Sequence, residues 1–208
     1  MKDFYKFKLQ SNMSLGIFVD ADGWLKKDLE GWKAKINSTE LNNQYTAHPS
    51  HLTLINVNVE NENEAANYVS SQFKIFDKFR INIKKKDIFW DDSLTDGHTL
   101  YYKVEKNNHL FKLQKHLAKI LIPIKTDSKV PKIISQNKIL YKSYLKYGSP
   151  FIGDHWIPHF TVSSLKTNKE DPIITEFLKK KIKYSIEIVN LSLWKINGDC
   201  HHFIKYLV

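Results

Sequence analysis

The tetrapeptide histidine-apolar-threonine-apolar occurs twice, as His51-Leu52-Thr53-Leu54 and as His159-Phe160-Thr161-Val162. In a β-strand, neighbouring side chains leave opposite faces of the pleat. Each tetrapeptide therefore sends a histidine and a threonine to one face and two apolar side chains to the other, where they can pack beneath helices. The histidines lie 108 positions apart in a chain of 208 residues, as a duplicated unit would place them. This predicts one domain of two lobes, approximately residues 1–105 and 106–208, each giving one motif strand to a shared site. Two imidazoles titrating near neutrality can supply general base and general acid in one step. Two hydroxyls can hold a phosphoryl group between them. His51, Thr53, His159 and Thr161 are the candidate catalytic residues.

A pair of such motifs resembles the signature of the two-histidine (2H) phosphoesterase superfamily, which includes 2′-5′ RNA ligase-like proteins and cyclic phosphodiesterases. The second copy follows Trp156-Ile157-Pro158, and a proline before the histidine is common in that family; the first follows Pro49-Ser50. The resemblance implies an α+β, bilobal, pseudo-twofold fold with mainly antiparallel sheets, helices outside and a central cleft. It also implies chemistry without metal or other cofactor on a 2′,3′-cyclic phosphate or a 2′-5′ phosphodiester. The expected partner is an RNA end or a nucleotide. Which histidine is base and which is acid stays open at this level. The competing reading is an RNA- or nucleotide-binding module of the same fold without turnover, against which the intact histidines and threonines of both motifs argue. Ligation is the reverse of the same chemistry, and the chain shows no lysine motif or phosphate loop for coupling it to ATP.

Composition limits the alternatives. A hydrophobic fraction of 42% over 208 residues suffices for a substantial core. The formal charge of +10 suits a polyanionic partner. No apolar run is long enough to cross a bilayer, and Met1 to Lys6 carries charges and aromatic rings where a secretory signal needs an apolar stretch. The single cysteine, Cys200, excludes an internal disulfide framework. A cytoplasmic monomer is expected.

Along the chain, Met13 to Val19 reads as a buried strand, with Asp20 and Asp22 available to cap a helix carrying Leu25, Leu29, Trp32 and Ile36. Ser38 to Ser50 reads as a loop delivering the first motif strand, His51 to Val59. A helix with Ala65, Val69, Phe73 and Phe76 on one face follows. Then come strands Phe79 to Trp90 and His98 to Glu105, joined by a turn. The next helix, carrying Leu110, Leu113, Leu117 and Ile120, ends before Pro123. Residues 123–157 are lysine-rich and broken by proline and glycine; they hold a short helix around Lys138 to Leu145 and a loop able to cover the site. The second motif strand, Pro158 to Leu165, leads to a helix capped by Asp171 with Pro172 at its first position. Tyr184 to Ile196 reads as strand, Asn197-Gly198 as a hairpin signal, and Phe203 to Val208 as the last strand.

Ser163, two residues beyond Thr161, is expected on the site face and is a candidate substrate contact, as is Trp156 by stacking on a base. Asp199-Cys200-His201-His202 has metal-ligand chemistry, but neighbours in a strand diverge, so no metal site is assigned. His48 is expected to be solvated. The phosphate-cradling and nucleophile-elbow glycine motifs are absent.

Overall fold

The computed structural model describes residues 13–39, 41–74, 76–126, 130–198 and 200–207. Its framework is a nine-stranded sheet: β1 (Ser14–Asp20), β2 (Asn43–Gln44), β3 (His51–Asn58), β4 (Phe79–Asp92), β5 (Gly97–Val104), β6 (His159–Leu165), β7 (Tyr184–Ile188), β8 (Leu191–Asn197) and β9 (Cys200–Leu207). The order is β7-β4-β5-β6-β3-β1-β8-β9, with β2 beside β6. Every pairing is antiparallel. The two motif strands are therefore neighbours at the centre of the sheet.

Among the described residues six α-helices accompany it: α1 (Gly23–Asn37), α2 (Glu62–Gln72), α3 (Asn108–Leu121), α4 (Lys132–Ser135), α5 (Lys138–Tyr147) and α6 (Pro172–Lys179). A two-fold plan is visible in how they cross. Helix α1 leaves β1 and packs on β6, while α3 leaves β5 and packs on β3; α2 then covers β1 and β9, and α6 covers β4. The apolar partners of the motif histidines point to the packed side. Leu52, Leu54, Phe160 and Val162 are at most 1% exposed. Each such burial is worth about 1.5–3 kcal/mol, enough to keep both strands rigid. None of the described helices is long and apolar enough to cross a membrane.

The sides of the sheet do not follow the sequence halves. One side joins β1 and β3 to the C-terminal strands β8 and β9, and the other joins β4 and β5 to β6 and β7, so a division near residue 105 matches neither. The strand region expected over Tyr184 to Ile196 divides into two strands on opposite sides of the sheet, β7 at one edge and β8 between β1 and the other edge strand, β9. β7 pairs with β4, the chain leaves the sheet at Val189–Asn190, and β8 pairs with β1. The last strand begins at Cys200 rather than Phe203; Val208 lies outside the described residues. Helix α2 stops at Gln72, so Phe73 and Phe76 pack on the core from beyond its end. Asp171 caps α6 by accepting from the Ile173 amide, whereas Asp22 stands at the start of α1 without a side-chain bond. A short strand, β2, lies within the expected loop before the first motif. Helix α5 closes on Gly148 at φ 71°, a left-handed position that suits glycine.

Candidate active site

Strands β3 and β6 meet at Leu52 opposite Phe160, close to the N-terminal ends of both. That single pair lies between histidine and threonine on both strands; continued by one residue each way, the register would set His51 across from Thr161 and Thr53 across from His159. The four motif side chains thus form one cluster on one face, and all four line a single cleft of about 960 Å³.

A matched pair of bulges shapes the cluster. On β3, Ile55 pairs with Ile17 and Thr53 with Phe18, leaving Leu54 as the extra residue. On β6, Ser163 pairs with Leu100 and Thr161 with Tyr101, leaving Val162. A bulge interrupts the period-2 alternation and bends the strand. It sets an aromatic residue beside each threonine. Phe18 stacks on the His51 ring at 3.8 Å and 13°, and Tyr101 meets the His159 ring edge-on at 5.1 Å, with Phe89 at 5.2 Å. Gly16 makes the first contact possible, because a Cβ there would lie 2.6 Å from the Phe18 ring.

The histidines are oriented identically. His51 Nδ1 donates to the Pro49 carbonyl at 2.7 Å, and His159 Nδ1 to the Ile157 carbonyl at 2.6 Å, each two residues upstream. The intervening residues are pinned in parallel fashion: the Ala21 amide donates to the Ser50 carbonyl and the Val104 amide to the Pro158 carbonyl. With the proton held on Nδ1, Nε2 of each neutral ring is the free acceptor. A buried lysine braces the first turn, Lys33 of α1 donating from Nζ to the His48 carbonyl. Burial lowers its pKa to about 8.

Electrostatics separate the twins. Desolvation pushes the His51 imidazole down to about 3; the Pro49 carbonyl opposes this, and His201, Lys33 and His48 reinforce it. Desolvation also lowers the His159 pKa, but there the Ile157 carbonyl and the Asp92 carboxylate both act to raise it. His51 is therefore set to stay neutral, while His159 has an anion that favours its protonated form.

Residues 25–199 match the 2′-5′ RNA ligase superfamily. The chain belongs to that superfamily, a group of 2H phosphoesterases. Solved structures that share its fold include the following three. TT0787 of Thermus thermophilus aligns with a TM-score of 0.60 at 12% identity, covering 93% of this chain and 96% of that one. E. coli LigT complexed with 3′-AMP aligns at 0.58 with 11% identity, covering 93% and 96%. Kluyveromyces marxianus Usb1 aligns at 0.50 with 10% identity, covering 93% and 97%. No curated protein matches the chain by sequence.

Within this superfamily member, the remaining candidates divide. Ser163 is not a cleft residue. The Val162 bulge turns it off the face of His159 and Thr161, and it is fully buried with its hydroxyl donating to the Gln44 carbonyl at 2.9 Å. Trp156 reaches the cleft but is 7% exposed and packs edge-on against Phe111 at 5.3 Å. The C-terminal cluster splits as alternation demands: Cys200 and His202 are exposed, His201 turns into the cleft, and Asp199 lies outside the described residues. The His201 ring lies 5.5 Å from that of His51 and 4.2 Å from that of His48, which is half-buried and not simply solvated. Phe18, Tyr101, Lys33 and Asp92 were not singled out from sequence. The first two had a signal: an apolar-aromatic dipeptide, Ile17-Phe18 and Leu100-Tyr101, recurs ahead of each motif. Helix α5 and the segment after it supply one wall of the cleft through Leu140, Tyr144 and Pro150.

Proposed function

We propose that this chain is a phosphodiesterase that opens a 2′,3′-cyclic phosphate or a 2′-5′ phosphodiester of RNA or a nucleotide, without a metal ion. The observation that carries this is the pair of Nδ1-anchored histidines, each with a threonine two residues on along its strand, in one cleft. A phosphate lying between them meets an Nε2 from each side. His51 Nε2 takes a proton from water, whose oxygen bonds to phosphorus. The Thr53 and Thr161 hydroxyls donate to nonbridging oxygens as charge grows there. His159 Nε2–H gives its proton to the departing ribose oxygen as the P–O bond breaks. The histidines end with exchanged protonation and reset through solvent. His51 is the base because Lys33, His48 and His201 oppose its charging; His159 is the acid because Asp92 supports it. LigT, complexed with 3′-AMP, holds a nucleotide on the same fold.

The direct test is a turnover screen of 2′,3′-cyclic nucleotides and 2′-5′ oligonucleotides with exhaustively chelated protein, reading the phosphate position of the product. Full activity after chelation is expected, since two imidazoles and two hydroxyls complete the step. Recovery only on adding zinc or manganese would overturn the metal-free mechanism, and binding without product would assign a binding module.

The pH profile tests the division of labour. The rate should fall at low pH, where His51 is protonated and cannot accept, and at high pH, where His159 is neutral and cannot donate. Burial lowers both pKa values, so the kcat/KM bell of the free enzyme should centre on the acid side of 6.5. A bound phosphate favours both charged forms, so the kcat bell should lie higher. Asp92→Asn should move the alkaline limb to lower pH, while a flat profile would rule out the acid–base pair.

A further inference from the structure

A line of aromatic rings leaves the cleft across the β1-β8-β9 side of the sheet. From His51 it passes to Phe18 at 3.8 Å, Trp194 at 6.2 Å, Phe203 at 5.4 Å and Tyr206 at 4.8 Å. Sheet register explains the alignment. Gly16 and Phe203 pair with Trp194, while Phe18 and Tyr206 pair with Ser192, two residues away on the same face. The single-residue shift between Leu193 and Trp194 brings Phe203 onto that face.

This is the side of the sheet away from α2. The alternating residues Lys195 and Lys205 point to the other face, where they bind Glu62 and Asn67 of that helix. Phe203 and Tyr206 are 47% and 48% exposed, and Trp194 is half-buried. The indole is also held in place. Trp194 Nε1 donates to Ser192 Oγ at 2.8 Å, and Ser192 Oγ donates to the Asp20 carboxylate at 2.6 Å. Catalysis makes no use of that bonded chain, whose effect is to fix the angle of one ring.

We infer that this face is a stacking platform for unpaired nucleobases, over which a single-stranded polynucleotide entering the cleft continues across Trp194, Phe203 and Tyr206. The argument for this occupant is continuity, since Phe18 and His201 belong both to the cleft and to the start of the ring line. Rings set on a rigid sheet are also what successive bases require, each base having a π-face to offer. The inference takes its starting point from the phosphodiesterase reading, but binding alone reads it out.

The probe is single-stranded deoxyadenylate, as a mononucleotide and as a hexamer, which lacks the 2′-hydroxyls needed for turnover. Wild-type protein should bind the hexamer more tightly than the mononucleotide, with a fluorescence quench that Trp194→Phe removes. Phe203→Ala and Tyr206→Ala should each weaken hexamer binding roughly 5- to 100-fold. Phe203→Leu, which keeps the apolar surface and loses the π-face, should weaken it too. These losses should be equal at low and high salt, because stacking releases no counterions. Affinity independent of length, full affinity in Phe203→Leu, or a concentration-dependent dimer dissolved by Phe203→Ala would overturn the platform. Length-dependent binding by a protein inactive on every cyclic phosphate would instead leave the platform standing and remove the catalytic reading.

Discussion

His159→Ala is expected to slow cleavage of an unactivated ribose ester by about 10²–10⁴, the usual worth of a positioned proton donor. Most of that loss should vanish on a substrate whose leaving group is a nitrophenolate. A leaving group that departs as a stable anion needs no proton, so the missing acid no longer matters. His51→Ala should lose a similar factor on both substrates, because the attacking water still needs its base. The asymmetry follows from the surroundings of the two rings: His51 lies among Lys33, His48 and His201, whereas His159 has the Asp92 carboxylate near it. Steady-state kinetics of both variants on both ester types would decide the roles. Rescue of His51→Ala, with none of His159→Ala, would reverse them.

The side-chain arrangement of this site is legible in the sequence because it depends on local periodicity. Histidine and threonine two apart on a strand share a face whatever the strand pairs with, and both motifs do send these side chains into one cleft. The helix cap at Asp171 and the hairpin at Asn197-Gly198 are similarly short-range and came out as read. What failed depended on partners distant in sequence. The face of Ser163 is set by a bulge, and a bulge is defined by the neighbouring strand, so simple alternation misplaces Ser163. The break at Val189–Asn190 carries no strong turn residue beyond one asparagine. Its meaning, a move from one side of the sheet to the other, exists only in the assembled sheet. The sequence offers His201 only as one of four adjacent residues that diverge along a strand. Its place beside His51 comes from β9 joining the sheet through β8 and β1, 150 positions along the chain from that histidine.

The threonines should show their effect in kcat. Thr53→Val and Thr161→Val keep the shape of the side chain and remove one hydroxyl donor from the cleft, so each is expected to lower kcat by about 10²–10³. KM should move far less, since the hydroxyls gain most when negative charge gathers on the nonbridging oxygens and not in the bound ground state. Thr→Ser restores the hydroxyl and should recover most of the activity, which a purely packing role for the methyl group would not allow. Register adds a finer expectation. Carried on by one residue each way, the Leu52–Phe160 pairing would set Thr161 across from His51 and Thr53 across from His159. The two members of each crosswise pair therefore meet the phosphate from nearly the same place. Combining His51→Ala with Thr161→Val should then cost less than the product of the single losses, because the second change acts on a phosphate already displaced. Combining Thr53→Val with Thr161→Val, which remove donors from the two sides, should be closer to multiplicative. Strict additivity in both combinations would mean that the four side chains do not hold one phosphate between them.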